Sequence, residues 1–209
     1  MNAEQPGLPV RVRRITLAVI ALSGLVGSAA AQHIGQVIEL DSFRNLPPTI
    51  SAFWESNPLA AQAARAKHAA HAQGLESMRG SRAVILFALT IACSLTFVAA
   101  LRMLRPAGSA RESARRLLVS TAIASAVLRT MDGAQMTAIA GRAGAAWDKV
   151  MNGSDIPGGY PEGLEQWLLS ATTLVFTVLI TGAFVGIATY FRSDSLRDLV
   201  AASDRPPAG

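Results

Sequence analysis

Residues 168–191 read LLSATTLVFTVLITGAFVGIATYF, a run with no charged residue whose only polar members are Ser, Thr and Tyr. A hydrocarbon core about 30 Å thick is crossed by roughly 20 apolar residues in a helix. Inside it the backbone must satisfy its own hydrogen bonds, so the run reads as a membrane-spanning helix. Trp167 opens it and Tyr190 closes it, 23 residues apart. At 1.5 Å per residue that separation is about 34 Å, which suits two interfacial belts of amphipathic rings.

Working upstream, Ala83 to Leu101 is a second run without charge. The whole chain of 209 residues is 51% hydrophobic and only 16% charged, against about 25% charged in an average soluble domain. Its mean hydropathy is +0.34. These values imply an all-α integral membrane protein, one small helical bundle of three to four transmembrane helices with a helical external segment. The net charge of +5 does not imply nucleic acid, because the basic residues form no patch interleaved with aromatics. Seventeen of the nineteen basic residues are Arg; with abundant Ala and Gly, that bias fits a GC-rich bacterial genome.

The third apolar segment, Leu117 to Leu128, has only 12 residues and is too short to cross alone. To span, it continues through Arg129, Asp132 and Gln135 to about Ala140. On a 100° wheel Ala122, Ser125, Arg129 and Asp132 share a narrow face, while Val119, Ile123, Val127 and Met131 spread over the other side. Arg129 and Asp132 are three apart, close enough to pair, which lowers the cost of ionised groups in a membrane. An intramembrane polar cluster of Arg129, Asp132 and Gln135 is a candidate gate, proton or ion step, or docking group. Two blander readings stand beside it. The pair fastens the bundle, or residues 110–146 form an interfacial amphipathic helix that never crosses.

The N-terminus has two readings. Arg11, Arg13 and Arg14 precede the apolar run Ile15–Val26, and Ala29 and Ala31 have the spacing of an A-x-A cleavage site, as in a secretory signal peptide. Alternatively residues 1–31 are a first transmembrane anchor, with Ser23, Gly24, Gly27 and Ser28 as its packing face. Residues 32–82 then form an external helical segment, too small to fold well alone. Residues 83–209 form the membrane bundle, with spans near 83–101, 117–140 and 167–191 and a cytoplasmic C-terminal tail.

Basic residues set the orientation. Three Arg precede the first segment, five fill 102–116, and Arg192, Arg197 and Arg205 follow the last. The connection 141–163 holds only Arg142 and Lys149, offset by Asp148, Asp155 and Glu162. The consistent topology puts the N-terminus, 102–116 and the C-terminus inside, in a bacterial inner membrane. An interfacial third segment would reverse the last span and put its flanking Arg outside, so the crossing arrangement agrees better with the charges.

Smaller signals follow. Gly182 and Gly186 form a GxxxG, a shallow groove for a second helix within the bundle or from another copy. Ser56-Asn57-Pro58 is a helix start; the helix it opens either breaks at Gly80 before the second span or runs into it as one long helix, and Ile34–Leu46 suits a short amphipathic helix. Pro47-Pro48 marks a turn, and Asn152–Pro161 a connector carrying an Asn152-Gly153-Ser154 sequon. His68 and His71 lack a third ligand for a metal, and Cys93 is a lone buried thiol. No catalytic motif, nucleotide loop, haem-ligand pair or inverted repeat of broken helices is present. The sequence therefore points to a non-catalytic membrane subunit or partner-binding protein. It needs no cofactor and no nucleic acid; its partners are the lipid bilayer and other membrane subunits or itself. The alternative is a small oligomeric transporter or channel using Arg129 and Asp132.

Overall fold

A computed structural model describes residues 9–45, 57–105, 111–153 and 160–203. Among them every regular element is a helix: α1 (Val10–Ile38), α2 (Leu40–Asn45), α3 (Pro58–Ser77), α4 (Arg79–Met103), α5 (Arg111–Asn152), α6 (Leu164–Arg192) and α7 (Asp194–Ser203). Four of these, α1, α4, α5 and α6, are long and apolar enough to cross a membrane. The chain is thus an all-helical protein with four candidate spans.

The buried positions of these helices recur at alternating intervals of four and three. On α1 they are Val12, Thr16, Val19, Ser23, Val26 and Ala30; on α4 they are Arg82, Leu86, Leu89, Cys93, Thr96 and Ala100. On α5 the same spacing picks out Arg115, Leu118, Ala122, Ser125, Asp132 and Ile139 once Arg129 and Met136, both half-buried, fill the gaps. A mean spacing of 3.5 is the seam of left-handed coiled-coil packing. Hydroxyls on the seams return to their own backbone: Thr16 Oγ1 to Val12 O at 2.8 Å, Ser23 Oγ to Val19 O at 2.7 Å and Thr96 Oγ1 to Ala92 O at 2.8 Å. These three donors are thus satisfied within their own helices.

The chain divides into two compact units, and each long helix contributes a segment to both. Unit 1 comprises residues 1–31, 87–129 and 180–209. Its core gathers Val12 and Val19, Ala99, Ala100 and Met103, Ala114 and Leu118, Phe191, and Leu196 and Val200. The many Ala let backbones approach closely. Of the small-residue face expected on α1, Ser23 is buried, a Cβ on Gly27 would lie 3.1 Å from Cys93 Cβ, and one on Gly24 would lie 3.8 Å from Phe97. Ser28 is exposed. Short α7 begins after Ser193 and returns Leu196 and Val200, four apart, to the same core.

Unit 2 comprises residues 32–86 and 130–179. Asn57 starts α3, its side chain accepting from Leu59 N at 3.0 Å and Ala60 N at 3.2 Å with Pro58 in the first helical position. The break between α3 and α4 falls at Met78, whereas Gly80 lies inside α4. The stretch expected as one helix over Ile34–Leu46 is divided between the end of α1 and α2. The third segment does not stop near Ala140; α5 continues to Asn152 because 141–152 holds no Pro and its glycines serve packing. Pro47-Pro48, Ser56, Ser154 and Pro157-Gly158-Gly159 lie outside the described residues.

Charge separates with the units. Unit 1 has twelve basic and five acidic residues, net +7, and unit 2 has seven basic and nine acidic, net −2. All three His belong to unit 2.

Candidate functional site

Asp132 occupies the buried seam of α5 and is 2% exposed. A carboxylate in such surroundings must be paired. Arg82 Nη1 lies 3.0 Å from its Oδ1, with the arginine side chain 1% exposed. Arg82 sits one turn into α4 and continues the stripe of Leu86, Leu89 and Cys93, so the helix phase carries it inward. Its Nη2 also lies 3.3 Å from His33 Nδ1 near the end of α1. One guanidinium thereby joins three helices of unit 2. Its planar fork suits this use, since it can meet two acceptors in fixed directions.

Polar contacts around the pair pin the α3–α4 junction to α5. Gln135 Nε2 donates to Ser81 Oγ at 3.2 Å, and Arg142 Nη1 donates to Ser77 Oγ at 3.2 Å. Arg79 Nη2 donates to Ile38 O at 2.9 Å, meeting one of the carbonyls left over at the end of α1. His68 and His71 flank Phe43, with ring centroids 5.0 and 5.9 Å away. His68 Nε2 lies 3.2 Å from Phe43 O. Burial pushes the His71 pKa below its ordinary value, and the charges of Arg82, His68, His33 and Lys67 push the same way. Among the described residues, no three His, Cys, Asp or Glu side chains are grouped to hold a metal.

The start of α6 is built into the same unit. Its first amides are orphan donors, and the carboxylate of Asp148 accepts Glu165 N at 3.1 Å and Gln166 N at 3.0 Å. Lys67 Nζ pairs with Glu165 Oε1 at 2.5 Å and stands 5.5 Å from the centre of the Trp147 ring. A Cβ on Gly144 would fall 2.4 Å from Gln166 Cα, and one on Gly133 would fall 2.1 Å from Thr177 Cγ2. At Gly144 α5 and α6 touch backbone to backbone, and at Gly133 the α5 backbone takes the Thr177 side chain; both approaches are too close for a Cβ.

Asp132 is held by Arg82, Gln135 by Ser81, and Arg129 is half-buried on the part of α5 that belongs to unit 1. Gly182 and Gly186 are exposed, and a Cβ on either would meet nothing within 4 Å; the close helix contacts use Gly133 and Gly144 instead. Cys93 is buried, its sulfur 3.8 Å from Ser125 Oγ. Sequence reasoning missed Arg82 because it directly precedes the apolar run and counts there as a loop charge. The four–three stripe of α4, extended one turn back from Leu86, is the signal that finds it.

No family model, curated protein or solved structure matches this chain.

Proposed function

We propose that this chain is a non-catalytic subunit of a bacterial inner-membrane complex that holds another membrane helix, from a partner subunit or a second copy, against α6. The observation that carries the reading is the exposure of that helix. Only 11% of its most apolar stretch is buried, against 33–39% in the other three candidate spans. Leu174, Val175, Val178, Leu179 and Val185 are exposed on it, beside the open glycines Gly182 and Gly186. The face of α5 with Asp132 is spent inside the chain, so α6 replaces it as the contact surface. In this reading all four long helices cross. Retention of α1 is supported by Thr16, Val19 and Ser23, each 1% exposed or less. The Arg-rich ends of unit 1 face the cytoplasm with the C-terminus, and residues 32–82 lie outside. Replacement of Gly182 and Gly186 by Leu tests the role. Co-purification of a stoichiometric partner, or a dimer band after cross-linking in native membranes, should fall while the monomer stays folded. Unchanged association would refute it.

A small oligomeric transporter or channel is the second reading, favoured by the buried Arg82–Asp132 pair. Ion flux in liposomes that disappears with Asp132→Asn would support it; flux equal in that variant would not.

A further inference from the structure

We propose that the Arg-rich end of unit 1 is a docking surface for anionic phospholipid headgroups, which it binds through their phosphates in preference to zwitterionic lipids. This rests on the reading of the chain as an integral membrane protein and adds a lipid class to it.

One apolar core organises the surface. Val12, Met103, Ala114 and Phe191 meet in it, so the N-terminal turn of α1, the last turn of α4, the first turn of α5 and the junction of α6 with α7 lie together. Every one of these chain ends carries arginine. Arg11, Arg13 and Arg14 flank Val12 on α1 and are exposed. Arg102 and Arg105 flank Met103, Arg116 follows Ala114, and Arg192 and Arg197 bracket the start of α7; all are exposed as well.

Two further arginines are turned inward and explain what the others are not used for. Arg111 donates through Nε to Arg105 O at 3.1 Å and closes the α4–α5 connection. Arg115 donates to Phe191 O at 2.5 Å and pairs with Glu112 at 2.7 Å. These fasten the helix ends; Arg116 joins them through Glu112, and the other seven outward guanidiniums are surplus to that task. The acids nearby are Glu112, Asp194 and Asp198, and Glu112 is already taken by Arg115 and Arg116. The excess of positive charge is therefore concentrated at one end of one unit, while unit 2 is net negative.

Concentrated charge at the ends of apolar helices meets the headgroup layer, where each basic residue adds to the attraction toward an anionic surface. Arginine's fork takes two phosphate oxygens at once and keeps its charge at any pH. Exposed apolar residues beside the arginines, Val10, Leu17 and Leu101, let acyl chains lie along the helices under the bound phosphates. A free anion gains only the first of these two contacts.

The test uses the full chain reconstituted in nanodiscs of equimolar phosphatidylglycerol and phosphatidylcholine, with retained lipids counted by native mass spectrometry. Phosphatidylglycerol should be enriched several-fold among them, and the enrichment should fall as salt rises. It should also be lost when Arg11, Arg13, Arg14, Arg102, Arg192 and Arg197 are all changed to Gln. If that variant loses its helical circular dichroism, the milder R102Q/R192Q/R197Q form decides, with a partial loss expected. Lipids retained in the feed ratio, or enrichment unchanged in the folded variant, would overturn the proposal. So would displacement of phosphatidylglycerol by millimolar inorganic phosphate, which marks a phosphate site, or by polyglutamate at equal charge, which marks an acidic protein partner. Resistance to alkaline carbonate extraction is measured in parallel. A chain that stays in the membrane without lipid preference refutes only this inference; a chain that washes off refutes the membrane reading itself.

Discussion

The same four long helices build two units that hold together by different chemistry. Unit 1 closes on aliphatic and small side chains, Ala99, Ala100, Leu118 and Phe191 among them, and turns most of its arginines outward. Unit 2 buries a salt bridge between Arg82 and Asp132, caps α6 with a carboxylate from α5, and sets Gly133 and Gly144 where α6 comes too close for a Cβ. Apolar packing in a membrane is non-directional and tolerates exchange of similar shapes. A buried ion pair is directional, and each partner alone is a liability. Unit 1 is therefore expected to be forgiving and unit 2 demanding, on continuous helices whose mean hydropathy hides the difference.

Substitutions at the demanding end give the largest effects. Asp132→Ala leaves the Arg82 guanidinium buried without its carboxylate and should cost about 3–5 kcal/mol. Hydrogen exchange should then rise first in residues 57–86 and 130–152. The double change Arg82→Met with Asp132→Leu should recover most of that loss, since a buried pair can be replaced by apolar groups of similar volume. If exchange rises equally in unit 1, the two units are not separate in stability and the comparison fails.

Next in size is Gly144→Ala. Its new methyl meets Gln166 backbone, which cannot rotate away, so a loss of about 1–3 kcal/mol is expected. Gly186→Ala meets open space and should leave the unfolding of the monomer within about 0.5 kcal/mol of the native chain. Detergent titration of both variants checks the contrast, and equal losses would mean that α6 packs both faces. Asn57→Ala removes the α3 cap and should cost about 1 kcal/mol, read as faster exchange confined to the first turns of that helix.

The smallest effect expected is on pH. Burial holds the pKa of His71 in the folded chain below the ordinary 6.5 of an exposed imidazole, so the folded chain binds fewer protons than the unfolded one between those two values. Stability of unit 2 therefore declines as pH falls through 6.5 and levels off below the native pKa. His71→Gln should flatten that slope, and unit 1, which contains no His, should show none of it. A slope unchanged in the variant would assign the proton to another group.

The long helices were legible because apolarity is additive along a chain: runs such as 83–101 and 168–191 announce themselves without any knowledge of neighbours. The wheel of α5 was legible for the same reason. Ala122, Ser125 and Asp132 are buried, while Ile123, Val127 and Met131 are exposed. The site was only half legible. Asp132 was visible as a charge inside an apolar helix, but its partner Arg82 stands on another helix fifty residues earlier, and sequence distance carries no information about that meeting. The GxxxG illustrates the converse: a local pattern suited to close packing lies open, and the contacts fall to Gly133 and Gly144, which no motif marks.

Helicity, and enough apolar length to cross a membrane, follow from the residues alone, because backbone hydrogen bonding and hydrocarbon thickness act on each segment separately. Which charges are buried together, which glycines lie against α6 and which face of α6 stays open emerge from the packing of the helices. Those outcomes depend on the rotation and register of one helix against the next, and small side chains at many positions make several registers sterically possible. The four–three spacing narrows the choice to one stripe per helix, and the pairing of Arg82 with Asp132 fixes it in unit 2.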